Sequence, residues 1–520
     1  MTITPNFNDL SLSKRNREPF CFHIRLISTK VKNHYAGENM RLFIIIISLL
    51  ITSCLPLDTP PNKKCTKGQS KSQSCSIANG EGEQSRVCAD KTWTPYGTCA
   101  VTKCNSGYEL KSGLCEIVLP VIMDNPISRF GFLSAHGQQL NTLFAKWDQS
   151  ESINLNLINE SQKHVLDLNV GWSREITLIY TASSSPMVTL YANERIIAAK
   201  SANLKIVATV GIDETIFDNN KSGYGSWLTS LVSLYKNDVE YWQIHNEVGQ
   251  QGRFENVANY IALLKFSYEK IKQTCSNCKV MMGSTIPNLP YLVSMVADGD
   301  SFVDSYDFHL FGDINSHLGI FTSFVQHLKG KNISKPIFVT EMATYSGQPI
   351  GANLLEHTEE FQAAELIKMF TRTFYAGADY IFWAQLIEWY KFAGKVDGFF
   401  DFTGLVYNGL CSSVSTADIC QDQSIDKGAN VKKEAYYALK TLISKIDKFG
   451  SIQKIAEGQY KFFVNNKNVW ILWCDQAVCH LPLTGSFIVT DYQGNVSISD
   501  ASLIKLSTTP IFVEKNLSPI

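Results

Sequence analysis

The chain has no stretch of positive charge suited to a phosphate backbone. Lys and Arg number 47 against 48 Asp and Glu in 520 residues, a formal net charge of −1. Basic residues gather only near the N-terminus, so counterion release has no surface to act on and no nucleic-acid partner is expected. Long apolar runs are also missing. The run Leu42 to Ile51 is too short to span a bilayer as a stable helix. No Gly-rich phosphate fingerprint follows the first predicted strand, which leaves a doubly wound nucleotide-binding sheet without its main support. No His pair accompanies the cysteines at finger spacing, which argues against zinc.

What is present fits a globular, secreted, multi-domain protein. Hydrophobic residues make up 45% and charged residues 18%, enough for a real core. The length allows roughly 2–4 folding units. Aromatics reach 11%, which suits sugar-binding clefts and β-rich domains alike.

The segment Met40-Arg41 followed by Leu42 to Ile51 and Thr52-Ser53-Cys54 reads as a signal peptide over 40–53 ending in a bacterial lipobox. Cys54 is the candidate lipidation site and 54–64 reads as a tether. The bulk of the chain is then expected outside the cytoplasm, anchored to a membrane whose leaflet stays open. An uncleaved anchor helix and a chance apolar run are the alternatives. Residues 1–39 carry six basic and three acidic side chains and read as an upstream extension, with Met40 as the expected start.

Cysteine usage agrees with an oxidising compartment. Of 14 Cys, Cys65, Cys75, Cys88, Cys99, Cys104 and Cys115 crowd a module over 65–116. Cys275/Cys278, Cys411/Cys420 and Cys474/Cys479 form close pairs. Such a pattern reads as disulfides. The 65–116 module is too small to bury a core, so its cross-links must supply the constraint. Its Cys75 to Cys88 stretch and Trp93-Thr94-Pro95-Tyr96-Gly97-Thr98-Cys99 loosely resemble thrombospondin type 1 repeats. A partner-binding module and a stiff spacer both fit.

From 127 to 447 short apolar runs alternate with helical patterns, as parallel strands with crossover helices do. Eight strands are predicted, at 129–133, 171–175, 204–210, 240–244, 279–283, 305–309, 336–340 and 380–384. A last helix is expected over 433–446. Eight such units predict an α/β fold of the (β/α)8 barrel type. Residues 448–520 carry strand patterns at 460–464, 469–473 and 486–490, with turn signals at 465–468 and 492–495, and read as a small β-sandwich.

Glu247 ends the fourth predicted strand and Glu341 the seventh. Barrel strands deliver their C-terminal ends to one rim, so the two carboxyl groups are expected to face each other there. Two carboxyl groups across a glycosidic bond are the chemistry of glycoside hydrolysis.

The barrel resembles the large clan of retaining glycosidases with acid/base and nucleophile Glu on strands four and seven. Within it the chain is most similar to the β-xylosidase and α-L-iduronidase-like group, with the cellulase-like family as neighbour. The stretches that carry the resemblance are Tyr241-Trp242-Gln243-Ile244-His245-Asn246-Glu247, Val280-Met281-Met282-Gly283, Asp307-Phe308-His309, Pro336 to Glu341, Gly404-Leu405-Val406 and Pro510 to Glu514. The resemblance implies Glu247 as acid/base and Glu341 as nucleophile. It implies Asn246 on the sugar 2-hydroxyl, Arg174 beside Glu341, His309 lining the cleft and Trp383 as the floor beneath a sugar ring. Trp389, Tyr345, Trp242 and His136 are further rim candidates. An oligo- or polysaccharide substrate is implied, with no metal and no organic cofactor.

The chain departs from the clan pattern at Phe311, where many relatives carry a Tyr that hydrogen-bonds the nucleophile. Tyr306 and Tyr345 are the candidate substitutes. Glu341 is followed by Met342-Ala343 where Gly is commoner. Two other functions share these residues: a transglycosylase that excludes water as acceptor, and a catalytically silent carbohydrate-binding lipoprotein or adhesin.

Overall fold

A computed structural model of the chain describes residues 65–77, 80–104, 108–111, 114–117, 128–135, 155–180, 195–250, 252–285, 287–311, 314–349, 352–388, 398–409, 427–476, 479–481 and 483–516. The expected signal segment 40–53, the candidate lipidation site Cys54, the expected tether, His136, Trp389, Cys411 and Cys420 lie outside the described residues.

The chain divides into two compact units. The first, ending near Thr102, carries a four-stranded sheet whose strands begin at Ser70, Gly80, Thr92 and Ala100. Disulfides Cys65–Cys88 and Cys75–Cys99 cross it. Its apolar interior is slight, and the cross-links stand in for a core. The Arg86 guanidinium lies over the rings of Trp93 and Tyr96, 5.1 and 4.6 Å from their centroids.

The second unit contains the barrel. Its strands are β1 (Phe130–Leu133), β2 (Trp172–Tyr180), β3 (Lys205–Ile212), β4 (Val239–Ile244), β5 (Lys279–Met281), β6 (Tyr306–Leu310), β7 (Ile337–Met342) and β8 (Tyr380–Trp383). They pair in parallel in the order β5-β4-β3-β2-β1-β8-β7-β6. A parallel bridge between Met281 and Ser305 joins the two ends of that order. The eight strands start within one residue of the positions read from the sequence.

Helices α1 (Leu155–Leu168), α2 (Glu214–Tyr235), α3 (Val257–Thr274), α4 (Leu289–Gly299), α5 (Ile314–Gly330), α6 (Glu359–Ala376) and α7 (Glu434–Ile446) accompany the strands, with a further helical segment at 195–201. Side-chain caps start several of them. Asp213 accepts from Thr215 N, Asn256 from Ala258 N and Thr358 from Phe361 N. Gly377 ends α6 with φ 116°, a left-handed position that costs a residue with Cβ.

Strand alternation sorts the side chains into two cores. Trp242, Ile244, Phe308, Val339 and Trp383 point outward to the helix layer. Trp172, Val207, Tyr241, Met281, Phe338 and Phe382 fill the lower barrel interior. Gly131 admits this layer, since a Cβ there would lie 2.8 Å from Trp172 Cβ. Above the apolar layer the inward positions turn polar: Arg174, Thr209, Gln243, Asp307 and His309 are all buried. The change from apolar floor to polar upper storey falls toward the C-terminal ends of the strands.

The C-terminal stretch corrects one expectation. Among the described residues it is a single six-stranded antiparallel sheet, not a sandwich. Its strands are β9 (Ser451–Ala456), β10 (Gln459–Val464), β11 (Lys467–Leu472), β12 (Ser486–Thr490), β13 (Val496–Asp500) and β14 (Ile511–Lys515), in the order β9-β10-β11-β14-β12-β13. The last strand inserts between β11 and β12 and merges what would be two sheets into one. The layer opposite is helical: Phe462 of β10 meets Phe449, which meets Phe374 of α6. Asn465 and Asn466, at φ 48° and 62°, make the tight β10–β11 turn. Cys474–Cys479 closes the loop after β11. Cys275–Cys278 closes the turn between α3 and β5, a structural position.

Candidate active site

At the end of β4 the backbone leaves the strand through two left-handed residues, His245 at φ 70° and Glu247 at φ 49°. Such positions cost about 1–3 kcal/mol each and need support. His245 N donates to Val210 O at 2.7 Å, Glu247 N to Ser284 Oγ at 3.1 Å and Val248 N to Ser284 O at 2.9 Å. Beneath them the buried Tyr260 hydroxyl donates to Ile244 O (3.0 Å) and accepts from Gly283 N (2.6 Å). Gly283 permits the close approach, because a Cβ there would stand 2.3 Å from Ile244 O. The result turns Glu247 toward the barrel axis.

Glu341 reaches the same place by a different device. Phe308 pairs with Val339, but His309 pairs with Glu341, so Thr340 is skipped. This bulge lets the Thr340 hydroxyl and the Glu341 carboxylate both serve the barrel interior, which strict alternation would forbid.

The residues converge. Arg174, 1% exposed at its side chain, donates from Nη1 to Glu341 Oε1 at 2.6 Å, from Nη2 to Asn246 Oδ1 at 2.6 Å and from Nε to Thr209 Oγ1 at 2.8 Å. His309 Nδ1 lies 3.3 Å from Glu247 Oε1 and 3.6 Å from Glu341 Oε2. One oxygen of each Glu and a nitrogen of His309 fall within 4.8 Å of one another. Arg253, from the loop after β4, donates to Glu247 Oε2 at 2.7 Å, and Gln250 Nε2 reaches the same oxygen at 3.4 Å.

Charge is unevenly shared. Burial favours a neutral Glu247, yet its hydrogen bond and charge interaction with His309, with help from Arg253 and Arg174, hold it down at about 2. Burial pushes Glu341 up and the Glu247 charge adds to this, while His309 and the Arg174 guanidinium pull it back. Burial disfavours charge on His309, but Glu341, Asp307 and Glu247 together raise it to about 9. In the free site the excess proton therefore rests on His309, between the carboxylates. His245 is a different case: burial lowers it to about 4, and it packs edge-on against Phe254.

Three ligand-type side chains this close could cradle a cation. Here Arg174 pairs with Oε1 of Glu341 and Arg253 with Oε2 of Glu247, so both carboxylates are charge-paired within the protein. The donor set fits an anion-pair site better than a metal cage.

Of the residues singled out from sequence, Glu247, Glu341, Asn246, Arg174 and His309 lie together. Trp383 does not join them. Its neighbour Phe382 points into the barrel, so Trp383 points out, fully enclosed, with its ring stacked on Phe370 at 6.2 Å and Nε1 donating to Thr403 O at 3.0 Å. Trp242 faces outward by the same rule. The proposed tyrosine substitutes are spent elsewhere. Tyr306 hydroxyl bonds Asp300 and Tyr345 hydroxyl bonds Leu355 O. Phe311 stays apolar, packed on Phe400 at 5.6 Å. Arg253, Ser284, Thr209, Asp307 and Thr340 were given no role from sequence. Asp307 was within reach, since residues two apart in a strand share a face; Arg253 sits in a loop with no period to reveal it.

No protein-family model and no curated protein matches the chain. Among solved structures it is similar to a GH39 β-xylosidase from Caulobacter crescentus, at 10% identity and TM-score 0.45 over 68% of this chain and 92% of that one. A monomeric β-xylosidase from Caulobacter crescentus CB15 gives 12% and 0.47 over 69% and 93%. A β-glucuronidase from Ruminococcus gnavus gives 12% and 0.40 over 72% and 67%. At these identities and scores the names describe those proteins alone, and the chemistry of this site has to follow from its own geometry.

Proposed function

We propose that the chain is a retaining glycoside hydrolase of oligo- or polysaccharides, held outside the cytoplasm by a lipid on Cys54. One observation carries the enzymatic reading. Carboxylate oxygens of Glu247 and Glu341 approach within 4.8 Å on the rim formed by strands β4 and β7. Retaining glycosidases hold their carboxyl groups about 5–5.5 Å apart and inverting ones about 6.5–9.5 Å. The spacing falls on the retaining side, short of the separation at which a general base holds a water against the anomeric carbon.

Glu341 attacks the anomeric carbon while Glu247 protonates the departing oxygen. The glycosidic C–O bond breaks as the ester bond to Glu341 forms. Glu247, now deprotonated, takes a proton from water, whose oxygen displaces Glu341 and restores the starting configuration. Arg174 keeps Glu341 ionised for attack. Asn246 Oδ1 accepts from Arg174 and, at 3.4 Å, from Ser284 Oγ. Its amide nitrogen is thereby turned outward to donate to the 2-hydroxyl. The proton Glu247 needs is at hand on His309 Nδ1.

The test is turnover of an aryl-glycoside panel by the purified chain beside Glu341→Gly and Glu247→Ala. The reading expects activity on one glycone, lost in Glu341→Gly and restored there by azide as a glycosyl azide of inverted anomeric configuration. No turnover of any aryl glycoside or polysaccharide would replace it with the silent binding scaffold.

A further inference from the structure

We propose that Asp307 is a positioning residue that keeps the proton of the catalytic cluster on His309, and so sets the alkaline limit of the reaction. The inference rests on the glycosidase reading of Glu247 and Glu341.

Asp307 is buried in the polar storey of the barrel, two residues before His309 on β6 and facing the same way. Its Oδ1 accepts from Thr340 N at 2.9 Å, and its Oδ2 from Thr340 Oγ1 at 2.6 Å and from Gln243 Nε2. These donors are neutral. The one ionisable group of opposite sign paired with it among the described residues is His309, with Nε2 3.6 Å from Oδ2. A buried carboxylate without a cation is costly, so the site favours an imidazolium there.

Nε2 has a second neighbour of contrary effect. Arg174 Nη1 stands 3.5 Å away and repels a charged ring. The groups facing His309 are thus Arg174 from β2, Glu247 and, behind it, Arg253 from the β4 loop, Glu341 from β7 and Asp307 from β6 itself. On the Nδ1 side the carboxylates favour the proton. On the Nε2 side Arg174, itself paired with Glu341, opposes it, and Asp307 adds the negative charge that favours it. Thr340 connects the pair: its hydroxyl donates to Asp307 and offers its oxygen to Nε2 at 3.3 Å. An imidazolium then donates at both nitrogens, to Thr340 from Nε2 and to Glu247 from Nδ1.

The consequence is functional because Glu247 does not hold a proton well by itself beside Arg253. The productive free enzyme is the cluster carrying one proton, whether on His309 or passed to Glu247. Loss of that proton ends activity on the alkaline side. The imidazolium also places its positive charge 3.6 Å from Glu341, an electrostatic support that Phe311 cannot give.

The test is the pH dependence of kcat/KM for Asp307→Asn against the unaltered chain on the aryl glycoside it turns over, with Asp307→Ser as a smaller variant of the same charge. The alkaline limb should move down by at least one pH unit while the acid limb stays. A profile that overlays the unaltered one, merely lowered at every pH, would overturn the proposal and leave the glycosidase reading intact. A second readout needs no turnover. In the unaltered, 15N-histidine-labelled chain, the His309 ring, assigned by its loss in His309→Gln, should remain doubly protonated at pH 8. A ring that titrates near 6.5 would refute the role of Asp307 even if no glycoside is cleaved.

Discussion

Replacing Arg174 by Met tests the charge balance of the site most directly. The side chain is 1% exposed and donates to three oxygens, of Glu341 and Asn246 at 2.6 Å and of Thr209 at 2.8 Å. Met preserves bulk and deletes all three donors. Removing one member of a buried ion pair costs about 3–5 kcal/mol, because the remaining charge is stranded. Glu341 can escape that cost by taking up a proton. Burial and the Glu247 charge already push it that way, and afterwards only His309 opposes them. One pH unit corresponds to about 1.4 kcal/mol, so a cost of that size should raise the acid limb of kcat/KM by about 2–4 units. Attack by a neutral carboxyl is not productive, and loss of about 3 kcal/mol of transition-state support lowers the rate roughly 100-fold. The assay is a pH series of initial rates on an aryl glycoside, with circular dichroism confirming the fold. An acid limb unmoved, with kcat/KM within about threefold of the unaltered chain, would refute the argument that the guanidinium maintains the nucleophile.

Three further outcomes follow from packing and charge. Trp383→Leu should lower resistance to denaturant by about 3 kcal/mol, as large-to-small core changes do, and leave KM unchanged; a raised KM with unchanged stability would show that the ring contacts sugar after all. Because the folded-state pKa of His309 stands near 9, above its ordinary 6.5, its contribution to stability is full below pH 6.5 and is lost as pH rises through 9. Melting temperature should fall across that window, and His309→Gln should flatten the fall; equal slopes would count against the assignment. Dialysis against EDTA should leave turnover within about twofold, since Arg174 and Arg253 already pair with the carboxylates, and a large loss restored by a divalent ion would show the trio to be a metal site.

The sequence by itself determined the periodic parts of this protein. Short apolar runs at steady spacing placed eight barrel strands, because a strand buried on both faces must be apolar along its length. Glu247 and Glu341 were legible because barrel topology brings every strand's C-terminal end to one rim, whatever lies between. The cysteine pairs Cys275/Cys278 and Cys474/Cys479 were legible from proximity alone. Other features depended on relations between distant segments. Whether Trp383 faced the cleft or the helices depended on strand register, and Phe382 took the inward position. A sandwich and a single sheet share the same strand pattern, and the choice fell to the insertion of β14 between β11 and β12. The bulge that brings Thr340 and Glu341 to one side breaks the period of two on which the reading relies. Arg253 and the Asp307–His309 pair acquire meaning only in space. A carboxylate in a list of residues is neutral information until burial removes its water and leaves one cation within reach.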